Sequence, residues 1–159
     1  RSCKAIKVLD KKDKQNRNNM KVNELRIGNI VTGIYIDSPK NPREQIIVEA
    51  ITSIGVNLEY GDTMYHIDSL EGVPLSEEWL IRFGFEKETT EQGAYIYKIG
   101  IHKGYSRLCI CDFSNGNNHF SADLVKSDGG LFVLDSKIDS VHQLQNLYWC
   151  LCGKELELN

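Results

Sequence analysis

Residues 141–158 read VHQLQNLYWCLCGKELEL, and the period of this stretch decides what the second half of the chain is. Val141, Leu144, Leu147, Tyr148 and Leu151 recur at three- and four-residue steps, the spacing of one apolar helical face. Ser140 with Gln143 three residues on has the form of a capping box. Gly153 suits the position just past a helix end. A helix with one apolar stripe must bury it against another layer, and the residues before it supply a sheet. His142, Gln145, Asn146 and Trp149 fall off the stripe. Trp149 is therefore expected to cover a neighbouring loop or the N-terminal half, or to sit in a partner interface.

The sheet is a predicted four-stranded antiparallel meander. AYIYKIGI (94–101) and YSRLCICDF (105–113) are separated by His102-Lys103-Gly104, a tight-turn composition. HFSADLVK (119–126) and GLFVLDS (130–136) are joined through Ser127-Asp128-Gly129, a hairpin signal. Asn115-Gly116 marks the turn between the second and third strands.

Ahead of the meander lies PLSEEWLIRFGF (74–85), a short linking helix. Ser76 is placed as N-cap, and Glu77 and Glu78 sit in the first turn, where the helix dipole favours negative charge. Leu75, Trp79, Leu80 and Phe83 share a face. Gly84 and Phe85 fit a Schellman ending in which Phe85 folds back onto Leu80. At this spacing Trp79 belongs to the core and not to a ligand platform.

Before Val73 the pattern is β. LRIGNIV (25–31), IYI (34–36), EQIIVEAITSI (44–54) and VNLEY (56–60) are short runs rich in Ile and Val. Gly28-Asn29, residues 38–42, Gly55 and Gly61-Asp62 punctuate them as turns or bulges. So many short strands in so little chain predict a small SH3-like or curled β-barrel. The expected class is α+β: a barrel-like half over 20–72, then helix, meander and closing helix over 73–159, with the possibility of one shared core.

Composition narrows the function. The chain has 159 residues, a 41% hydrophobic and 26% charged composition, and a net charge of −3, values that support a packed globular core. The charge is unevenly spread. Residues 1–19 carry seven basic and two acidic side chains, which leaves twelve basic and twenty acidic in 20–159, a net of −8. An acidic body disfavours phosphate backbones, and a short basic run is ordinarily a solvated arm. No apolar run approaches the roughly 20 residues that cross a bilayer, and the opening residues lack a secretory pattern. A cytoplasmic protein with no membrane partner is expected.

Catalytic signals are sparse. Cys109-x-Cys111 and Cys150-x-Cys152 leave one residue between ligands where structural zinc sites use two to four. Buried thiols are the expectation, with no metal and no cofactor. Histidines 66, 102, 119 and 142 stand singly, and HExxH, GxSxG, Walker and GxGxxG patterns are missing. A spatial metal site of His119, Asp112 and Asp123 is the basis of one alternative, a small metal-dependent nucleotide hydrolase. A possible binding face is also expected. Tyr95 and Tyr97 share one side of the first meander strand, and Arg107 shares a side with Cys109 and Cys111 on the second. With Trp149 these would offer aromatics and an arginine for stacking or anchoring. The alternative is that this face packs under the closing helix with Arg107 at its rim, since that helix must cover some face of the sheet.

Three stretches, MKVNELRIGN (20–29), VPLSEEWLIRFGFEK (73–87) and VHQLQNLYWCLCGKELEL (141–158), together resemble a group of small uncharacterised proteins of phages and mobile elements of anaerobic gut bacteria. There an opening NELRIGN, a central PLSEEWL..FGF and a closing VHQLQNLY occur in the same order. The resemblance implies a bacterial host cell and carries over no catalytic residue, because the group has no established activity. It starts at Met20, which implies that the basic tail 1–19 is accessory or non-native. In the closing motif small or aromatic residues replace Cys150 and Cys152, which further weakens a zinc reading. The function expected is a non-enzymatic binding protein that occupies a host protein or small molecule, with self-association into a homo-oligomer open to it. A nucleic-acid-binding accessory factor using the barrel and basic tail is the other alternative.

Overall fold

A computed structural model of the chain describes residues 20–33, 45–52, 55–59, 64–101, 105–112 and 120–159. The basic tail 1–19, the IYI run, residue 60 of the VNLEY run, Phe113, His119 and the expected turns at 38–42, 61–62, 102–104 and 115–116 lie outside the described residues.

The first sheet is built from β1 (Ile30–Gly33), β2 (Gln45–Ile51), β3 (Val56–Leu58), β4 (Met64–Tyr65) and β5 (Leu70–Gly72), in the spatial order β4-β3-β2-β1-β5. Every pairing is antiparallel. Alternation gives each strand an inward face: Val31, Ile46, Val48, Val56, Leu58 and Leu70 are buried, and with Met20 and Leu25 they form a small core. β4 and β5 are not paired with each other, so among the described residues this sheet stays open and no barrel closes. The run expected as a strand from Leu25 begins only at Ile30. A turn intervenes, with Gly28 at φ 90° and the Asn29 side chain accepting a hydrogen bond from the Arg26 amide at 2.8 Å. This local bond competes with strand pairing.

The second sheet is an antiparallel meander of β6 (Glu86–Thr89), β7 (Tyr95–Gly100), β8 (Tyr105–Asp112), β9 (Phe120–Lys126) and β10 (Leu131–Ile138), in sequential order. Among the described residues it has five strands where four were expected. β6 reads EKET and is exposed at every position, so no apolar alternation announces it. Its side chains instead tie to the neighbouring strand and helix: Lys98 bonds Glu88, and Lys87 bonds Glu77 at 2.7 Å. The β9–β10 hairpin turns where expected, with Gly129 at φ 86°.

Helix α1 (Glu77–Arg82) and helix α2 (Val141–Cys152) pack on one face of the second sheet. α1 ends as read: the Phe85 amide donates to Leu80 O at 3.0 Å and the Gly84 amide to Ile81 O at 2.9 Å, the two bonds of a Schellman motif. Trp79, Leu80, Phe83 and Phe85 join Tyr97, Leu108, Ile110, Phe120, Leu124, Val141 and Leu144 in the larger core. The sequence stripe of α2 is confirmed, with Val141 and Leu144 fully buried and Leu147, Tyr148 and Leu151 partly buried against the same core.

The two cores meet at β1. Val31 belongs to the small core, and its neighbour Ile30 belongs to the larger one. A second tie follows β5, where an isolated antiparallel bridge joins Pro74 to Ser140. The Val141 amide donates to Val73 O at 2.9 Å and the Leu75 amide to Asp139 O at 3.0 Å. Among the described residues no helix is long and apolar enough to cross a membrane.

Candidate functional site

The four residues expected to make a binding face fall in three places. In the β7–β8 register Tyr97 stands opposite Ile110 and Lys98 opposite Cys109, and directly opposed residues share a face. Tyr97 therefore lies on the helix-covered face with Ile110, while Arg107, Cys109 and Cys111 lie on the other. The reason is register: two strands each read correctly for alternation still need their pairing to fix which sides coincide. Tyr97 is 1% exposed, stacks edge-on against Phe120, and donates its hydroxyl to Glu77 Oε2 at 3.1 Å. Burial and the Glu77 bond push its phenol well above the ordinary range, so Tyr97 is a core residue. Tyr95, on the same side but near the sheet end, is half-exposed, with the Lys87 ammonium 3.8 Å from its ring centre. The hydrogen bond from Lys87 holds Glu77 below the usual carboxylate range. Arg107 is exposed and 3.7 Å from Glu88.

The carboxylates of the hydrolase alternative do not converge. Asp112 pairs with Phe120 on the covered face, and Asp123 pairs with Cys109 on the opposite one. The Cys111 thiol donates to Asp123 Oδ2 at 3.6 Å. Burial, then the Asp123 charge, pushes that thiol up to about 12, and burial raises Cys109 as well. Both stay protonated near neutrality and are poor nucleophiles and metal ligands. On α2, Cys150 is exposed and Cys152 is buried. Among the described residues no group of three or more His, Cys, Asp or Glu is placed to hold a metal ion.

The densest polar arrangement was not anticipated. It is the seam between α2 and the segment 24–30 that leads into β1. Gln145 accepts from the Ile30 amide at 2.9 Å and donates to Gly28 O at 3.1 Å. Asn146 accepts from Asn29 Nδ2 at 3.0 Å and donates to Glu24 O at 2.6 Å. Arg26 lies 4.0 Å over the Trp149 ring and pairs with Glu155 at 2.6 Å. So Trp149, 42% exposed, covers the 23–29 loop as one of the expected outcomes had it. At the start of the helix the capping box takes a different form. The Ser140 hydroxyl bonds His142 Nδ1 at 3.0 Å instead of capping the helix, while Gln143 accepts from the Asp139 amide at 2.9 Å. The signal for this seam was present. Residues 142, 145, 146 and 149 recur at helical steps themselves, a polar stripe that a search for apolar periodicity passes over.

Exposed apolar side chains are scattered among the described residues, Ile27 and Val22 among them, but three in succession occur on one strand. Leu131, Phe132 and Val133 are 62%, 52% and 60% exposed, consecutive on the outer strand β10 directly after the hairpin turn. A register shift between Val133 and Ser136 follows them. Most outer strands are guarded by charge or bulges. Here the bulge guards the far half and leaves the tip bare. Comparisons with protein families, curated proteins and solved structures found no match to the chain.

Proposed function

We propose that the chain is a non-enzymatic binding protein of phage or mobile-element origin, which acts in the cytoplasm of a bacterial host by occupying a host protein. The observation that carries this reading is the bare tip of β10. Three adjacent large apolar side chains on an outer strand are costly to leave in water and suited to a partner. The ground for the origin is the resemblance of the stretches 20–29, 73–87 and 141–158 to the phage and mobile-element group. The order β4-β3-β2-β1-β5, with a 3-10 turn at Ile67–Ser69 before the last strand, supports reading the first sheet as an SH3-like curled sheet. That fold hosts many binding functions and dictates none.

The test is affinity capture from host lysate with the intact chain and with a Leu131→Ser, Phe132→Ser double variant. Both substituted side chains are exposed, so the variant should keep its circular dichroism spectrum and melting profile. A discrete partner held by the intact chain and lost by the variant is expected. Identical capture by the two proteins, or no specific capture by either, overturns the reading.

A further inference from the structure

His142 occupies a position that a titratable side chain rarely tolerates. It is the second residue of α2, 4% exposed, and held between two elements. On one side is Ser140, bonded to Nδ1 at 3.0 Å. On the other is Gly72, the last residue of β5. A Cβ at Gly72 would stand 2.8 Å from His142 Cε1 and 3.1 Å from Nδ1, so the imidazole lies against bare backbone with no room for a side chain there. Nε2 is buried and has no hydrogen-bond partner among the described residues.

Neutral imidazole fits this slot with one ring nitrogen satisfied and one idle. Imidazolium does not. Both nitrogens then carry protons, Ser140 Oγ accepts only one of them, and a buried unpaired charge is left against the Gly72 backbone. The surrounding charges offer little relief. Glu24, across the seam, favours the charged ring, but burial outweighs it and holds His142 below its ordinary value. Asp139 is engaged with Lys137 at 2.9 Å. Glu71 alternates with Gly72 along β5 and so points to the opposite face.

We propose that this seam is a proton-operated latch: when His142 takes up a proton, the start of α2 releases Gly72 and the 73–75 segment, and the first sheet swings away from the second. The bonds next to the imidazole, Val141 to Val73 and Leu75 to Asp139, open with it. The bonds farther along α2, made by Gln145, Asn146 and Arg26, do not depend on His142 and serve as the hinge. Acid therefore converts a closed two-sheet molecule into one with the 73–75 segment bared.

The sign is fixed by the direction of the shift. Above the ordinary histidine value of 6.5 both closed and open forms hold neutral imidazole, and the latch is fully shut. Below it the open form binds a proton that the closed form refuses, so opening grows as pH falls until the depressed value of the closed form is reached.

Amide hydrogen exchange on the full chain, followed from about pH 7.5 to about pH 5 and corrected for intrinsic exchange, tests this. The opening equilibrium of the Val141 and Leu75 amides should rise by about tenfold per pH unit below the histidine value, the slope of one proton. The β8–β9 ladder amides should stay protected. His142→Gln should flatten the profile at Val141 and Leu75. A flat profile in the intact chain, an unchanged slope in His142→Gln, or ladder amides rising with the same slope would each overturn the latch. If the Gln variant fails to fold, the His142 ring signal of the intact chain decides: a midpoint at or above the ordinary histidine value overturns the proposal.

Discussion

The first sheet and the turn leading into it meet α2 mainly through polar groups, Asn29, Gln145, Asn146 and His142, with Ile30 as the apolar exception. The second sheet meets the same helix through Val141, Leu144 and Cys152. One helix thus carries two different interfaces on adjacent faces. The apolar side is insensitive to pH and tolerant of small rotations. The polar side is directional, since each bond has a fixed donor and acceptor and loses its strength with modest misalignment. The contrast teaches that the two halves are joined with specificity more than with strength, and that damage to the two faces should look different.

The largest effect is expected on the apolar face. Leu144→Ala, at a fully buried position, should cost about 2–5 kcal/mol in a denaturant titration, with all spectroscopic probes moving together. Breaking the polar face is next. Gly72→Ala forces a methyl against His142 and should cost about 1–3 kcal/mol. His142→Ala added to it should recover part of that loss, a coupling that a double-mutant cycle measures. Gln145→Leu strands the Ile30 amide and Gly28 carbonyl, again about 1–3 kcal/mol. It should do so by loosening the first sheet while the β8–β9 amides keep their protection, which separates it from Leu144→Ala. The smallest effect belongs to the exposed stack. Trp149→Ala should remove about 0.5–1 kcal/mol; a value as large as that of Leu144→Ala would erase the distinction between the two faces.

The parts of the fold that could be read from the sequence are those where a single element states its own case. PLSEEWLIRFGF spelled out α1 together with its Gly84 ending, and Ser127-Asp128-Gly129 placed a hairpin. α2 was legible for its apolar stripe and illegible for its polar one, because asparagine and glutamine on a helix read as solvated until a backbone is known to lie against them. Strand β6 escaped because all four of its side chains are exposed, and its ties are a backbone ladder to β7 and charged partners that leave no apolar alternation. The binding face failed at register. Tyr97 and Arg107 were each correctly assigned to a side of their own strand, and only the pairing of Tyr97 with Ile110 reveals that these are opposite sides. Likewise Asp112 and Asp123 are separated by parity that no spacing in the sequence displays. The bare tip of β10 was written plainly as LFV, yet nothing local distinguishes an outer strand from an inner one.

β1 supplies Ile30 to one core and Val31 to the other, and this bears on how the chain tolerates change of length. A residue inserted or deleted just ahead of Ile30 would shift the strand by one step and exchange its faces, sending each side chain toward the wrong core at once. Variants that lengthen the chain there should be lost from a library selected for folding, while insertions at the 127–129 turn survive. The junction between the halves therefore acts as a reading frame for both of them.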